Sequence, residues 1–84
     1  MENKIQVGKV THYYDKISVA VVRLSARLKV GDSILIEGNR TSFQQKIESM
    51  QIKNINVEEA GIDEQVGIKV MQKVREGDKV YKLF

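Results

Sequence analysis

The residues best suited to grip a ligand are basic. Arg23, Arg27 and Lys29 form the densest cationic cluster, and at strand spacing they share a phase, so they can line one strip. Arg75 and Lys73 precede the pair Gly77-Asp78 much as Lys29 precedes Gly31-Asp32; two such turns at one end of a fold would make a basic rim. The chemistry of such a strip is phosphate contact, where each neutralised phosphate releases condensed counterions. The competing reading is that these side chains solvate exposed strand faces, since no basic run reaches five residues. Charge is uneven: the net +3 divides into +4 over residues 1–57, −4 over 58–64 and +3 over 65–84. Setting the acidic loop aside leaves a surface of +7.

Other chemistry finds less support. His12-Tyr13-Tyr14 offers rings for base stacking, but alternation puts His12 and Tyr14 on one face and Tyr13 on the other, so packing claims part of the triplet. Glu58, Glu59, Asp63 and Glu64 supply carboxylates for a hard cation, yet Gly61-Ile62 interrupts them and calcium-loop spacing is missing. The absence of cysteine excludes disulfides, thiolate zinc sites and thiol nucleophiles, and fits a reducing compartment; a cytoplasmic location is expected. One histidine gives a multi-histidine metal centre or a serine–histidine hydrolase little to build on. No Gly-x-x-x-x-Gly-Lys-Ser/Thr motif occurs, so no loop cradles nucleotide phosphates. The expectation is non-enzymatic binding, without catalytic residues, metal or cofactor.

The elements that must carry these residues are strands. Eighty-four residues make one domain, 1–84, whose folding buries only about 60% of the unfolded surface. The chain has no apolar stretch near the ~18 residues of a membrane span, and its first residues lack the apolar run of a secretory leader. Val and Ile number 20 against 7 for Leu and Ala, which suits a pleated sheet rather than helices. Strands are predicted over Lys4–Tyr14, with a bulge at Gly8–Lys9, and over Ile17–Leu24, Ser33–Glu37, Thr41–Ile52 (bent), Val66–Val70 and Lys79–Phe84. Gly38-Asn39 reads as a positive-φ hairpin turn, and Val57–Gly61 as at most one helical turn. Phe43, Tyr81 and Phe84 read as core or barrel-closing residues. Lys29-Val30-Gly31-Asp32-Ser33-Ile34 echoes Arg75-Glu76-Gly77-Asp78-Lys79-Val80, one turn design used twice, with glycine at positive φ and aspartate bonding nearby amides. About six strands with short connections predict an all-β fold: a small closed, mostly antiparallel β-barrel.

Several segments taken in order resemble a known barrel. Val7-Gly8-Lys9-Val10, Val19–Leu24, Leu28–Ile36, Lys46-Ile47-Glu48-Ser49-Met50, Val57–Ala60 and Val66-Gly67-Ile68 resemble the β-barrel second domain of translational GTPases such as elongation factor Tu. They are similar too to the C-terminal barrel of collagenase-like peptidases, a family also linked to RNA modification, and to stand-alone translation elongation factor-like proteins. The resemblance implies a closed barrel with Gly31 and Gly77 in strand-entry turns and Val66-Gly67-Ile68 in a core strand. Joined to the basic residues, it gives the expectation of a rigid scaffold binding structured RNA, tRNA, rRNA or the ribosome, with Arg23, Arg27, Lys29, Lys73 and Arg75 as the nucleic-acid-binding residues. Two positions depart from it: Gln51 and Asn54 stand where the family places a glutamate and an arginine near the tRNA acceptor end, and Asp63-Glu64 replaces Gly-Asp. The alternative is a protein–protein interaction module, using a sheet edge or an apolar patch around Leu35, Val22 and Tyr13, or an accessory barrel for a separately encoded peptidase-like or RNA-modifying enzyme. Neither reading implies a membrane or a small-molecule cofactor.

Overall fold

β-Branched residues at alternate positions form strands here almost throughout. The computed structural model describes residues 3–84; Met1 and Glu2, where the leader reading begins, lie outside them. Among the described residues there are ten strands and no helix. They are β1 (Lys4–Tyr14), β2 (Val19–Leu24), β3 (Leu28–Lys29), β4 (Ser33–Glu37), β5 (Ser42–Lys46), β6 (Met50–Ile52), β7 (Ile55–Val57), β8 (Glu59–Ala60), β9 (Gln65–Lys69) and β10 (Lys79–Leu83). Among the described residues no helix is long and apolar enough to cross a membrane. Eight strands form one antiparallel sheet in the order β5-β4-β10-β1-β2-β9-β6-β7, and β3 pairs with β8 in a second. The core gathers one face of each long strand: Val7 and Val10 of β1, Ala20, Val22 and Leu24 of β2, Ile34 and Ile36 of β4, and Val66 and Ile68 of β9.

The all-β, antiparallel class matches expectation, while closure takes a different form. The two ends of the eight-stranded sheet, β5 and β7, share no ladder. Yet only Ile47, Glu48 and Ser49 link β5 at one end to β6 beside the other, and three residues reach about 10–11 Å at full extension. The sheet must therefore curl until its ends approach. A side chain bridges the gap: Gln45 of β5 donates through Nε2 to the Lys69 carbonyl at 2.9 Å and accepts at Oε1 from the Met71 amide at 2.8 Å. A glutamine seam stands where a barrel would have a ladder.

Four local expectations are corrected. The predicted helical turn Val57–Gly61 contains the end of β7 and all of β8, because pairing with β3 outweighs local preference. The predicted strand Thr41–Ile52 is broken at residues 47–49, where the chain crosses between sheet ends. Gly38 and Asn39 do not take positive φ. Gly38 is required by close approach instead, since a Cβ there would run into the Asp78 carboxylate. Phe84 is 76% exposed and closes nothing, whereas Phe43 is buried as expected and Tyr81 is half-buried. β1 does bulge, but just before the predicted Gly8–Lys9: its register against β10 shifts between Gln6 and Gly8, and a Cβ at Gly8 would run into Val22 and the Arg23 carbonyl.

Candidate functional site

The echoed motif builds two turns with nearly identical bonding. In the first, Asp32 Oδ2 accepts from the Lys29 amide at 3.0 Å, and the Gly31 amide donates to the Ile47 carbonyl at 2.8 Å. In the second, Asp78 Oδ2 accepts from the Arg75 amide at 2.9 Å, and the Gly77 amide donates to the Val10 carbonyl at 2.8 Å. Gly31 and Gly77 sit at φ 97° and 92°, a region closed to most side chains. Each turn opens a strand, β4 or β10, and those strands pair antiparallel. The two turns therefore lie at opposite ends of the sheet. A continuous basic rim joining Lys73 and Arg75 to Lys29 does not form.

Arg23, Arg27 and Lys29 are all exposed, with Leu24 and Leu28 buried between them. The acidic loop folds onto these residues. Arg27 Nη2 lies 2.7 Å from Glu59 Oε1, Arg23 Nη2 lies 3.6 Å from Asp63 Oδ1, and Lys29 faces Glu59 across the β3–β8 ladder. Setting the loop aside to obtain a +7 surface is thus not what the fold does: two of its four carboxylates, Glu59 and Asp63, lie on the arginines they were to be separated from. Such exposed pairs contribute at most about 1 kcal/mol each to stability, but they flatten the local potential. Asp63 makes this turn possible by taking φ 71°, as the aspartate-for-glycine exchange requires.

The predicted residues scatter among three grooves of the surface. Arg27 and Lys29 line one of about 310 Å³ with Asp32, Glu59 and Lys82. Arg23 lines a shallow one of about 300 Å³ beside Gly8 and Ile62. Arg75 lines the largest, about 660 Å³, between the β4–β5 loop and the second Gly-Asp turn. Lys73 is exposed in the segment between β9 and β10, outside all three. His12 is exposed, its Nδ1 3.6 Å from Glu76 Oε2 and its ring edge-on to Tyr14 at 4.3 Å, while the neighbouring Thr11 hydroxyl donates to the Val21 carbonyl. Among the described residues no three His, Asp or Glu side chains gather as a metal site.

The apolar patch also moves. Val22 and Leu35 are buried, and Tyr13 packs partly against the core. The apolar side chains left in solvent are others, among them Ile17, Ile55, Ile62 and Met71. Two polar residues that matter to the architecture, Gln45 and Asp78, were not singled out as site residues; the repeated Gly-Asp motif marks Asp78, while nothing local marks Gln45.

No family model matches the chain. Its kinship is instead with part of larger proteins. It is 47% identical over 81 residues to an uncharacterized protease of Methanocaldococcus jannaschii, covering 95% of this chain and 20% of that protein. It is 37% identical over 81 residues to a collagenase of Porphyromonas gingivalis, covering 94% and 20% respectively. In three dimensions it matches the C-terminal domain of a candidate U32 peptidase from Geobacillus thermoleovorans with a TM-score of 0.87 at 20% identity, over 90% of this chain and 96% of that domain. The fold is therefore that of a peptidase C-terminal domain. By sequence the chain is a relative of protease- and collagenase-named proteins, spanning about a fifth of their length.

These relationships overturn the reading of the chain as an elongation factor-like translation module binding structured RNA, tRNA, rRNA or the ribosome. The sequence kinship runs to peptidases, and the two positions that depart from the elongation factor pattern are used otherwise. Gln51 donates to Asn56 across the β6–β7 hairpin at 3.0 Å, and Asn54 takes positive φ in its turn. Nothing about either suits an acceptor end.

Proposed function

We propose that residues 1–84 are a single barrel-like accessory domain of a peptidase-type enzyme, and that it binds protein rather than performing the chemistry itself. One observation carries this reading: 95% of the chain aligns at 47% identity with only 20% of a protease, so the similarity is that of one module within a larger enzyme. The domain's own residues fit a binding role. Its one histidine is paired with an exposed carboxylate, and the groove at the second Gly-Asp turn is lined by side chains of both charges and by turn backbone. Antiparallel strands locked by a side-chain seam make a stiff platform on which such a groove keeps its shape.

The test uses two purified components: this chain, and the Methanocaldococcus jannaschii relative with its matching segment deleted. Calorimetry and sedimentation should show a defined complex, insensitive to ribonuclease, and this chain alone should leave gelatin and casein intact. Absence of any complex, or gelatin cleavage by this chain that a point substitution in it abolishes, would sink the proposal.

A further inference from the structure

The twin turns differ in one respect that points to a binding site. Shifting the numbering by 46 positions carries Asp32 to Asp78 and β4 to β10, and the β4–β10 register is symmetric about the Leu35–Tyr81 pair. The surroundings of the two aspartates are thus related by a local twofold axis. Both carboxylates are largely buried, 9% and 5% exposed, and both hold the same turn amide. At Asp32 a cation completes the site: Lys82 reaches across the ladder and places Nζ 3.5 Å from Oδ2. The twofold mate of Lys82 is Ile36, which is fully buried. Asp78 therefore receives no ammonium from the corresponding position.

Nor does another side chain take that place. Among the described residues Asp78 makes no ion pair within 4.0 Å, and its Oδ1, lying against Gly38, accepts no hydrogen bond. Lys79, the cation adjacent in sequence, lines the same groove but makes no ion pair with it, and Arg75 is directed elsewhere: its Nη1 donates to the Arg40 carbonyl at 3.4 Å and the Thr41 hydroxyl at 3.3 Å. The acids beside it are also engaged, Glu37 with Lys4 and Glu76 with His12. What remains is a carboxylate without a counter-charge on the wall of the 660 Å³ groove, its free Oδ1 not sealed in the core but reachable from the groove. A buried carboxylate is held better by a charge-assisted hydrogen bond than by one turn amide alone.

We propose that the groove at Asp78 accepts an ammonium or guanidinium group from outside, a lysine or arginine side chain of a partner polypeptide, seated as Lys82 is seated at Asp32. The site rests on the protein-binding reading for the source of that cation, but not for its chemistry. The test is an NMR titration of the ¹⁵N-labelled full chain with three short peptides identical except for a central Lys, Arg or norleucine, beside methylammonium and methylguanidinium. The Lys and Arg peptides should shift the Gly38, Arg75, Gly77 and Asp78 amides, and the norleucine peptide should not. Asp78→Asn keeps an oxygen for the Arg75 amide and should weaken binding about tenfold or more, whereas Asp32→Asn should leave it unchanged. Equal shifts from the norleucine peptide, or full affinity in a folded Asp78→Asn variant, would overturn the proposal. Methylammonium or methylguanidinium binding as tightly as the Lys and Arg peptides would overturn the polypeptide source. The lysine-against-norleucine comparison on the parent decides the matter even where a variant fails to fold. A Lys peptide that binds at Asp78 while the peptidase complex is missing would remove the enzyme-partner reading and leave this site standing.

Discussion

Three glycines show how one residue type answers different demands. Gly31 and Gly77 have nothing within 4 Å of where a Cβ would stand, so their requirement is entirely the backbone's positive φ. Gly31→Ala and Gly77→Ala should each lower stability by about 1 kcal/mol, seen as matched drops in melting temperature; unchanged melting would mean the turns relax freely. Gly38 is the opposite case, with ordinary φ and no space. Gly38→Ala should destabilise through the Asp78 carboxylate, and should cost less in an Asp78→Ala background, where the Asp78 Cβ at 3.4 Å is the contact that remains. A thermal-melt double-mutant cycle checks this; simple additivity would place the strain elsewhere. The first two glycines were legible in the sequence because a repeated Gly-Asp motif announces a repeated turn. Gly38 was visible as a turn residue for the wrong reason, since its constraint comes from a residue 40 positions away. The basic residues were legible as a cluster but not as partners of Glu59 and Asp63, which the β3–β8 pairing and the backbone bonds between Leu24 and residues 63–64 bring near.

Among the elements, long strands with marked ends were the readable ones. β1 has the predicted bounds Lys4–Tyr14, and β4 the predicted bounds Ser33–Glu37, because alternation runs between clear turn signals. Strands of two or three residues have no period to read, which is why nothing in the sequence marks β7 and why β8 lies within the segment expected to form a helical turn. The β6–β7 hairpin also escaped notice. Its two-residue loop, Lys53-Asn54, puts both residues at positive φ, 51° and 66°, the pattern of a type I′ turn, for which Asn-Gly is the favoured pair. Lys53→Asn with Asn54→Gly should therefore stabilise the chain by about 0.5–1 kcal/mol, raising the denaturant midpoint at constant slope. A lower midpoint would mean that the lysine makes a compensating contact.

For the molecule as a whole, the seam decides how firmly the curled sheet stays shut. Gln45 is largely buried and satisfies one carbonyl and one amide at residues 69 and 71. Gln45→Leu keeps the bulk and removes both bonds, so it should cost about 1–3 kcal/mol and speed hydrogen exchange at the Met71 amide ahead of the core amides. Met71 exchange no faster than in the parent would show that the sheet ends are held by packing alone. Curling was foreseeable from the bent Thr41–Ile52 segment, but not the device that fastens it, because a glutamine on a strand looks like any other solvent-facing residue. The strand order has a separate bearing on biosynthesis. β10, made after every other strand, inserts between β4 and β1. A nascent chain on the ribosome therefore carries two unmatched strand edges, and the valine- and isoleucine-rich face behind them, until Lys79–Leu83 has emerged. The fold cannot be assembled piecewise during translation, and a premature stop before β10 would yield a sticky fragment rather than a smaller working domain.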